Sequence, residues 1–113
     1  MSGTDVKVTV PMLYLLLTLV QGKSHGYAMG QEVARRSHDR VRLGPASLYW
    51  SVNKLREADL IREVDGPRDE GGRGRPRRYY EATPDGLRVL RDEMAVLEDV
   101  ILFARDVALP DPE

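Results

Sequence analysis

Cysteine is absent from this 113-residue chain. That excludes disulfides, thiolate zinc sites and a cysteine nucleophile, and it fits a reducing cytoplasm. Histidine is nearly as scarce. His25 and His38 show no helical pairing with a carboxylate of the kind that suggests zinc, so no metal site is expected. Long apolar runs are missing too: residues 12 to 20 are apolar apart from Thr18, far short of the roughly 20 residues of a membrane-spanning helix. Lys7 and Lys23 flank that run without a small-residue cleavage pattern, so neither signal peptide nor anchor is expected. Ser24 beside His25 has no third orienting residue or oxyanion hole, and the glycines around Gly72 lack the Gly-Lys-Ser/Thr ending of a phosphate-binding loop. The expectation is a protein that is not an enzyme and holds no cofactor.

An excess of one charge is lacking as well. A net charge of −1 argues against indiscriminate polyanion binding. The charges are nevertheless unevenly spread. Residues 1 to 34 balance; residues 35 to 80 carry twelve basic against seven acidic side chains; residues 81 to 113 carry three basic against nine acidic. A basic middle and an acidic end imply two working surfaces. The length allows one compact domain, which buries only about two-thirds of its unfolded surface. Self-association would help to stabilise it.

What is present reads as four helices and a hairpin. Residues 1 to 10 are expected to form a loose arm. Pro11 suits a helix's first turn, and residues 12 to 21 are apolar on nearly every side, so that helix should be buried on more than one face. Ser24-His25-Gly26-Tyr27 opens a second helix to about Arg36, with Tyr27, Met29 or Gly30, Val33 and Ala34 inward. Residues 39 to 44 form a connector pinned by Val41 and Leu43. Pro45 opens a third helix, in which Leu48, Val52 and Leu55 make one inward stripe and leave Ala46, Ser47, Tyr49, Trp50, Asn53 and Lys54 on other faces. Residues 60 to 65 and 77 to 82 are candidate strands. Tyr79 and Tyr80 should alternate faces, at least one of them in the core and the other placed to brace the hairpin loop or reach DNA.

Thr83, Pro84 and Asp85 punctuate the start of a last helix that can run to Val107 before Pro110 and Pro112. It carries two apolar stripes. Leu87, Leu90, Met94, Leu97 and Ile101 form one; Val89, Val96, Val100, Phe103 and Val107 form the other. One stripe can pack on the chain's own body, and the second calls for a partner helix. The expected architecture is mainly α with a small β-hairpin: a winged helix-turn-helix over residues 11 to 82, a dimerisation helix over 83 to 109, and a tail over 110 to 113.

The hairpin loop carries the strongest functional signal. Gly71-Gly72-Arg73-Gly74-Arg75-Pro76-Arg77-Arg78 packs four arginines and three glycines into eight residues. Such a segment cannot build a core, because each buried guanidinium would need a partner. It is placed to meet nucleic acid. Arg73-Gly74-Arg75-Pro76 also resembles the core of an AT-hook, which lays arginine into narrow minor grooves. The bland alternative is a solvated loop making loose phosphate contacts, damped by Asp69 and Glu70.

Leu15-Leu16-Leu17, His25-Gly26-Tyr27, Ser47-Leu48-Tyr49, Leu55, Leu60-Ile61, Gly71-Gly72-Arg73, Arg78-Tyr79-Tyr80 and Thr83-Pro84-Asp85-Gly86 occur in an order that resembles the PadR-like bacterial transcriptional regulators. The similarity spans residues 12 to 107 and is closest to the short subgroup with a single C-terminal helix. It implies a winged helix-turn-helix, dimerisation through the last helix, and repression by operator binding, relieved in some members by a small hydrophobic or phenolic ligand. Two positions depart from the family pattern: Trp50 stands where members often have proline or a small residue, and Phe103 is the last helix's only aromatic residue where drug-binding relatives have tryptophan. The ligand type is therefore not carried over.

The candidate DNA-binding residues are Ser47, Tyr49, Trp50, Asn53, Lys54, Arg73, Arg75, Arg77 and Arg78. Trp50 has two readings, stacking on DNA or packing on a neighbouring helix. The candidate dimer interface is Leu13, Leu16, Leu17, Met94, Leu97, Val100, Ile101 and Phe103, and a candidate ligand pocket is lined by Tyr14, Val96, Val100 and Phe103. The expected partners are a double-stranded DNA operator, a second copy and a small-molecule effector. A winged domain that binds protein, or one that acts through RNA, stays open as a rival.

Overall fold

Thr9 starts the first helix. In the computed structural model, which describes residues 7–67 and 78–112, its hydroxyl accepts the Met12 amide at 3.3 Å and opens α1 (Val10–Gln21). Met12, Leu13, Leu15, Leu16 and Leu19 are all buried, so α1 is enclosed on several sides, as its all-round apolar character requires. His25 Nδ1 accepts the Ala28 amide at 3.3 Å and opens α2 (Gly26–Arg36). Pro45 opens α3 (Pro45–Glu57), whose Leu48, Val52 and Leu55 turn inward as the spacing predicts. Thr83 caps α4 (Pro84–Asp106), its hydroxyl accepting the Gly86 amide at 3.0 Å with Asp85 in the first turn.

Asp59 takes a left-handed φ of 59°, and the Leu60 amide donates to the Leu55 carbonyl at 2.9 Å. That closure ends α3 and turns the chain into the sheet. Ser24–His25 (β1), Ile61–Val64 (β2) and Tyr79–Ala82 (β3) form an antiparallel sheet in the order β1-β3-β2. Ile61 faces Ala82 and Val64 faces Tyr79 across the hairpin. The strand β1 adds to the expected hairpin. A two-residue strand shows no alternation, and its partners Tyr79 and Tyr80 lie far along the chain.

Two expectations are corrected, for Tyr27 and for the stripes of α4, while the core placement of at least one of Tyr79 and Tyr80 is met. Tyr27 is 67% exposed rather than inward, because Met29 and Val33 take the buried side of α2 and a residue two positions earlier points away from it. Tyr79 and Tyr80 are both buried: Tyr80 joins the core, while the His25 ring stands edge-on to Tyr79 at 5.2 Å. Gly66 also closes over Tyr79, and a Cβ there would strike the ring. Neither apolar stripe of α4 packs along its full length. Leu90 is buried and Val89 and Met94 are half-buried, but every residue from 95 to 103 is exposed. The body provides cover only for the first turns of α4. Gly86 allows the close approach there, since a Cβ would collide with the Leu60 carbonyl.

Among the described residues, no helix is long and apolar enough to cross a membrane.

Candidate nucleic-acid interface

The face of α3 opposite Leu48, Val52 and Leu55 is open. Ser47, Tyr49, Trp50, Asn53 and Lys54 are all exposed along it. Their chemistry is mixed by type: hydroxyls and an amide that donate and accept, one ammonium, and an indole. Trp50 is 55% exposed, with the Lys54 ammonium 5.6 Å from its ring centroid, within cation–π range.

The start of α3 differs from the starts of the other helices. Thr9, His25 and Thr83 each give a side-chain acceptor to α1, α2 and α4, whereas Gly44 gives none to α3. The first amides of α3 are left to solvent or to an incoming anion. Two open hollows flank the helix. One, of about 490 Å³, lies between α2 and α3 and is bordered by Tyr27, Gln31, Arg42 and Tyr49. The other, of about 570 Å³, lies toward the start of α1 and is bordered by Pro11, Ser47 and Trp50. Tyr27, Gln31 and Arg42 are absent from the candidate residues drawn from sequence. Exposed Arg42 is legible as a basic connector residue beside Pro45, while the expected inward placement of Tyr27 hides it.

Arg78 is exposed just before β3. Arg73, Arg75 and Arg77 lie outside the described residues. On the sheet, Arg62 of β2 pairs with Glu81 of the central strand β3 at 2.6 Å, and beside it the Lys23 ammonium, just before β1, donates to the Asp65 carbonyl, just after β2, at 2.9 Å. On α2, Glu32 ties the ends of α1 and α2 together. It accepts from Arg36 at 3.0 Å, from Gln21 at 3.2 Å and from Arg35 at 2.9 Å. These hydrogen bonds, Arg36 foremost, hold its carboxyl down at about 2.

The candidate dimer residues divide. Leu16 is fully buried and Leu13 nearly so; both belong to the chain's own core and offer no surface to a second copy. Met94 is half-buried against that core. Leu17, Leu97, Val100, Ile101 and Phe103 are 40 to 68% exposed. Tyr14 borders a hollow of about 500 Å³ shared with Leu17, Thr18 and Arg36, which no α4 residue lines, whereas Val96, Val100 and Phe103 stand exposed on α4.

Known proteins bear on this arrangement. Residues 15–92 match the model of the transcriptional regulator PadR-like family. The chain is 31% identical over 99 residues to a transcriptional regulator of Mycobacterium tuberculosis, a match covering 84% of this chain and 79% of that protein. It is 32% identical over 99 residues to an uncharacterised 37.1 kDa transposon protein of Streptomyces fradiae; the match covers 88% of this chain but only 26% of that longer protein. The fold is similar to the crystal structure of a PadR-like transcriptional regulator from Bacillus cereus, with a TM-score of 0.74 at 19% identity over 90% of this chain and 94% of that one. With a family match over most of its length and the same winged architecture, the chain belongs to the PadR-like family of transcriptional regulators.

Proposed function

We propose that this transcriptional regulator, which is not an enzyme, acts as a homodimeric repressor that reads a duplex operator with α3 and with the arginine loop between β2 and β3. The observation that carries the reading is the open face of α3, where Ser47, Tyr49, Trp50, Asn53 and Lys54 are left uncovered while the opposite face is core. The uncapped start of α3 supports it, because phosphate suits unpaired helix amides. A dimer would present two such helices to successive major grooves roughly 34 Å apart. Ser47 and Tyr49 would donate to phosphates, and Asn53 and Lys54 would reach phosphates or base edges. Dimerisation is supported by the uncovered apolar residues of α4, chiefly Leu97, Val100, Ile101 and Phe103, with Leu17 of α1 beside them in character. An effector site between copies, lined by Tyr14, Val96, Val100 and Phe103, extends the same reading. Thermal-shift screening with aromatic and cationic compounds tests that part, and no response across a broad panel removes it.

Trp50 is the single tryptophan, so its fluorescence should change when duplex binds. Genomic footprinting of the purified protein returns the operator. Lys54→Ala and Arg75→Ala should then each weaken operator binding and flatten its salt dependence, by up to about 0.9 log unit for each phosphate no longer neutralised. Unchanged affinity and slope in both variants would reject this interface and favour a protein-binding role for the same face.

A further inference from the structure

Lys54 lies on the open face of α3 and Arg42 borders the hollow beside its opening turn, and each already has an anion. The Lys54 ammonium lies 3.8 Å from Glu57 Oε1, one turn further along the same helix. The Arg42 guanidinium lies 3.4 Å from Asp39 Oδ1. The second pair is built on a defined turn. Asp39 has a left-handed φ of 63°, and its amide donates to the Ala34 carbonyl at 2.8 Å, so the α2 terminus delivers the carboxylate to Arg42. Asp39 and Arg42 together border the hollow between α2 and α3 that Tyr49 lines.

Neither pair is placed to hold the fold together. All four side chains are well exposed, from 45 to 75%. Exposed pairs of this kind contribute little to stability. A phosphate approaching Lys54 or Arg42 must nevertheless compete with the resident carboxylate, and that carboxylate also repels it. We infer that Glu57 and Asp39 are autoinhibitory contacts that mask Lys54 and Arg42 against phosphate. Binding then depends more heavily on the uncharged groups of α3 (Ser47, Tyr49 and Asn53) than the number of cations suggests. The inference rests on the DNA-binding reading above and adds to it a pair of residues whose removal strengthens binding.

The test is the affinity for a fluorescently labelled random-sequence duplex at low and high salt. Wild type is compared with Glu57→Gln, Asp39→Asn and the two combined. Each single variant should bind about two- to fivefold more tightly at low salt, in line with the strength of exposed ion pairs. The gain should fade at high salt, where charges are screened over about 3 Å at 1 M. The combined variant should show both gains, since the two pairs share no partner. A double-mutant cycle separates masking from a mere change of net charge. In a Lys54→Met background the Glu57→Gln gain should shrink, and in an Arg42→Met background the Asp39→Asn gain should shrink. Wild type that binds duplex, with no gain in either variant or with gains undiminished in the methionine backgrounds, overturns the masking alone. Wild type that binds no duplex at low salt overturns the DNA-binding reading, and the masking falls with it.

Discussion

Leu16 and Phe103 are both large apolar residues on helices, yet Leu16 is wholly buried and Phe103 is 68% exposed. The contrast extends to their surroundings. Leu16 sits in a helix contacted by α2, α3, β3 and α4, whereas Phe103 ends a run, from residue 95, in which every residue is exposed among the described residues. An apolar stripe therefore announces a need for cover without naming what provides it. In α1 the cover is the chain itself. In the outer half of α4 the exposed apolar residues are contiguous on one element, the pattern that marks an association surface rather than scattered surface hydrophobes.

The widest gap between the two regions should appear in stability. Leu55→Ala removes most of a side chain with no exposed surface, and should lower unfolding stability by about 2 to 5 kcal/mol. Urea titration should show that drop at every protein concentration. Phe103→Ala in the monomeric chain should change stability by no more than about 0.5 kcal/mol, as expected for surface positions. If Phe103→Ala lowers stability as much as Leu55→Ala in dilute, monomeric protein, the outer half of α4 is covered from within and the contrast disappears.

A second comparison concerns association. Wild type should sediment as a dimer at micromolar concentration. Leu97→Asp and Val100→Asp should each raise the dissociation constant at least roughly thirtyfold, the equivalent of about 2 kcal/mol at an interface centre, because an unpaired charge there would be desolvated. Both positions are exposed within one chain, so the monomers should keep their fold by circular dichroism. A wild-type monomer would remove the second copy as the cover for α4.

The parts of the molecule legible in its sequence are those governed by near neighbours. Thr83, Pro84 and Asp85 mark the start of α4 because capping and dipole effects act within one turn. Leu48, Val52 and Leu55 reveal the inner face of α3 because a helix repeats locally. The pairing of Ser24 and His25 with Tyr80 and Tyr79 is hidden, since it joins residues distant in the chain. Tyr27 misleads because aromatic character suggests burial, while the rotation between Tyr27 and Met29 forbids both from facing inward. Leu16 suggests an interface because an apolar helix advertises all its faces alike. At α3 the residue types and their exposure agree with the reading, but the anions beside Lys54 and Arg42 need coordinates to be found. Glu57 follows Lys54 at a spacing that permits pairing without requiring it, and Asp39 reaches Arg42 only through a left-handed turn.

The smallest expected effect sharpens the comparison from the polar side. The well-covered region is also tied by Glu32, whose carboxylate draws Arg36, Gln21 and Arg35 together where α1 and α2 end. Its carboxyl is held at about 2 against an ordinary value of 4.5. A carboxylate with a lowered folded-state value adds stability above its unfolded value and loses that contribution as the pH falls toward the folded one. Glu32→Gln should therefore melt below wild type at neutral pH. The difference should narrow as the pH falls from about 4.5 and close near pH 2. Thermal melts of both proteins across that window provide the measurement. A gap that stays constant down to pH 2 would mean that Glu32 acts through its shape and neutral hydrogen bonding, and that the charge of the network contributes nothing to holding α1 against α2.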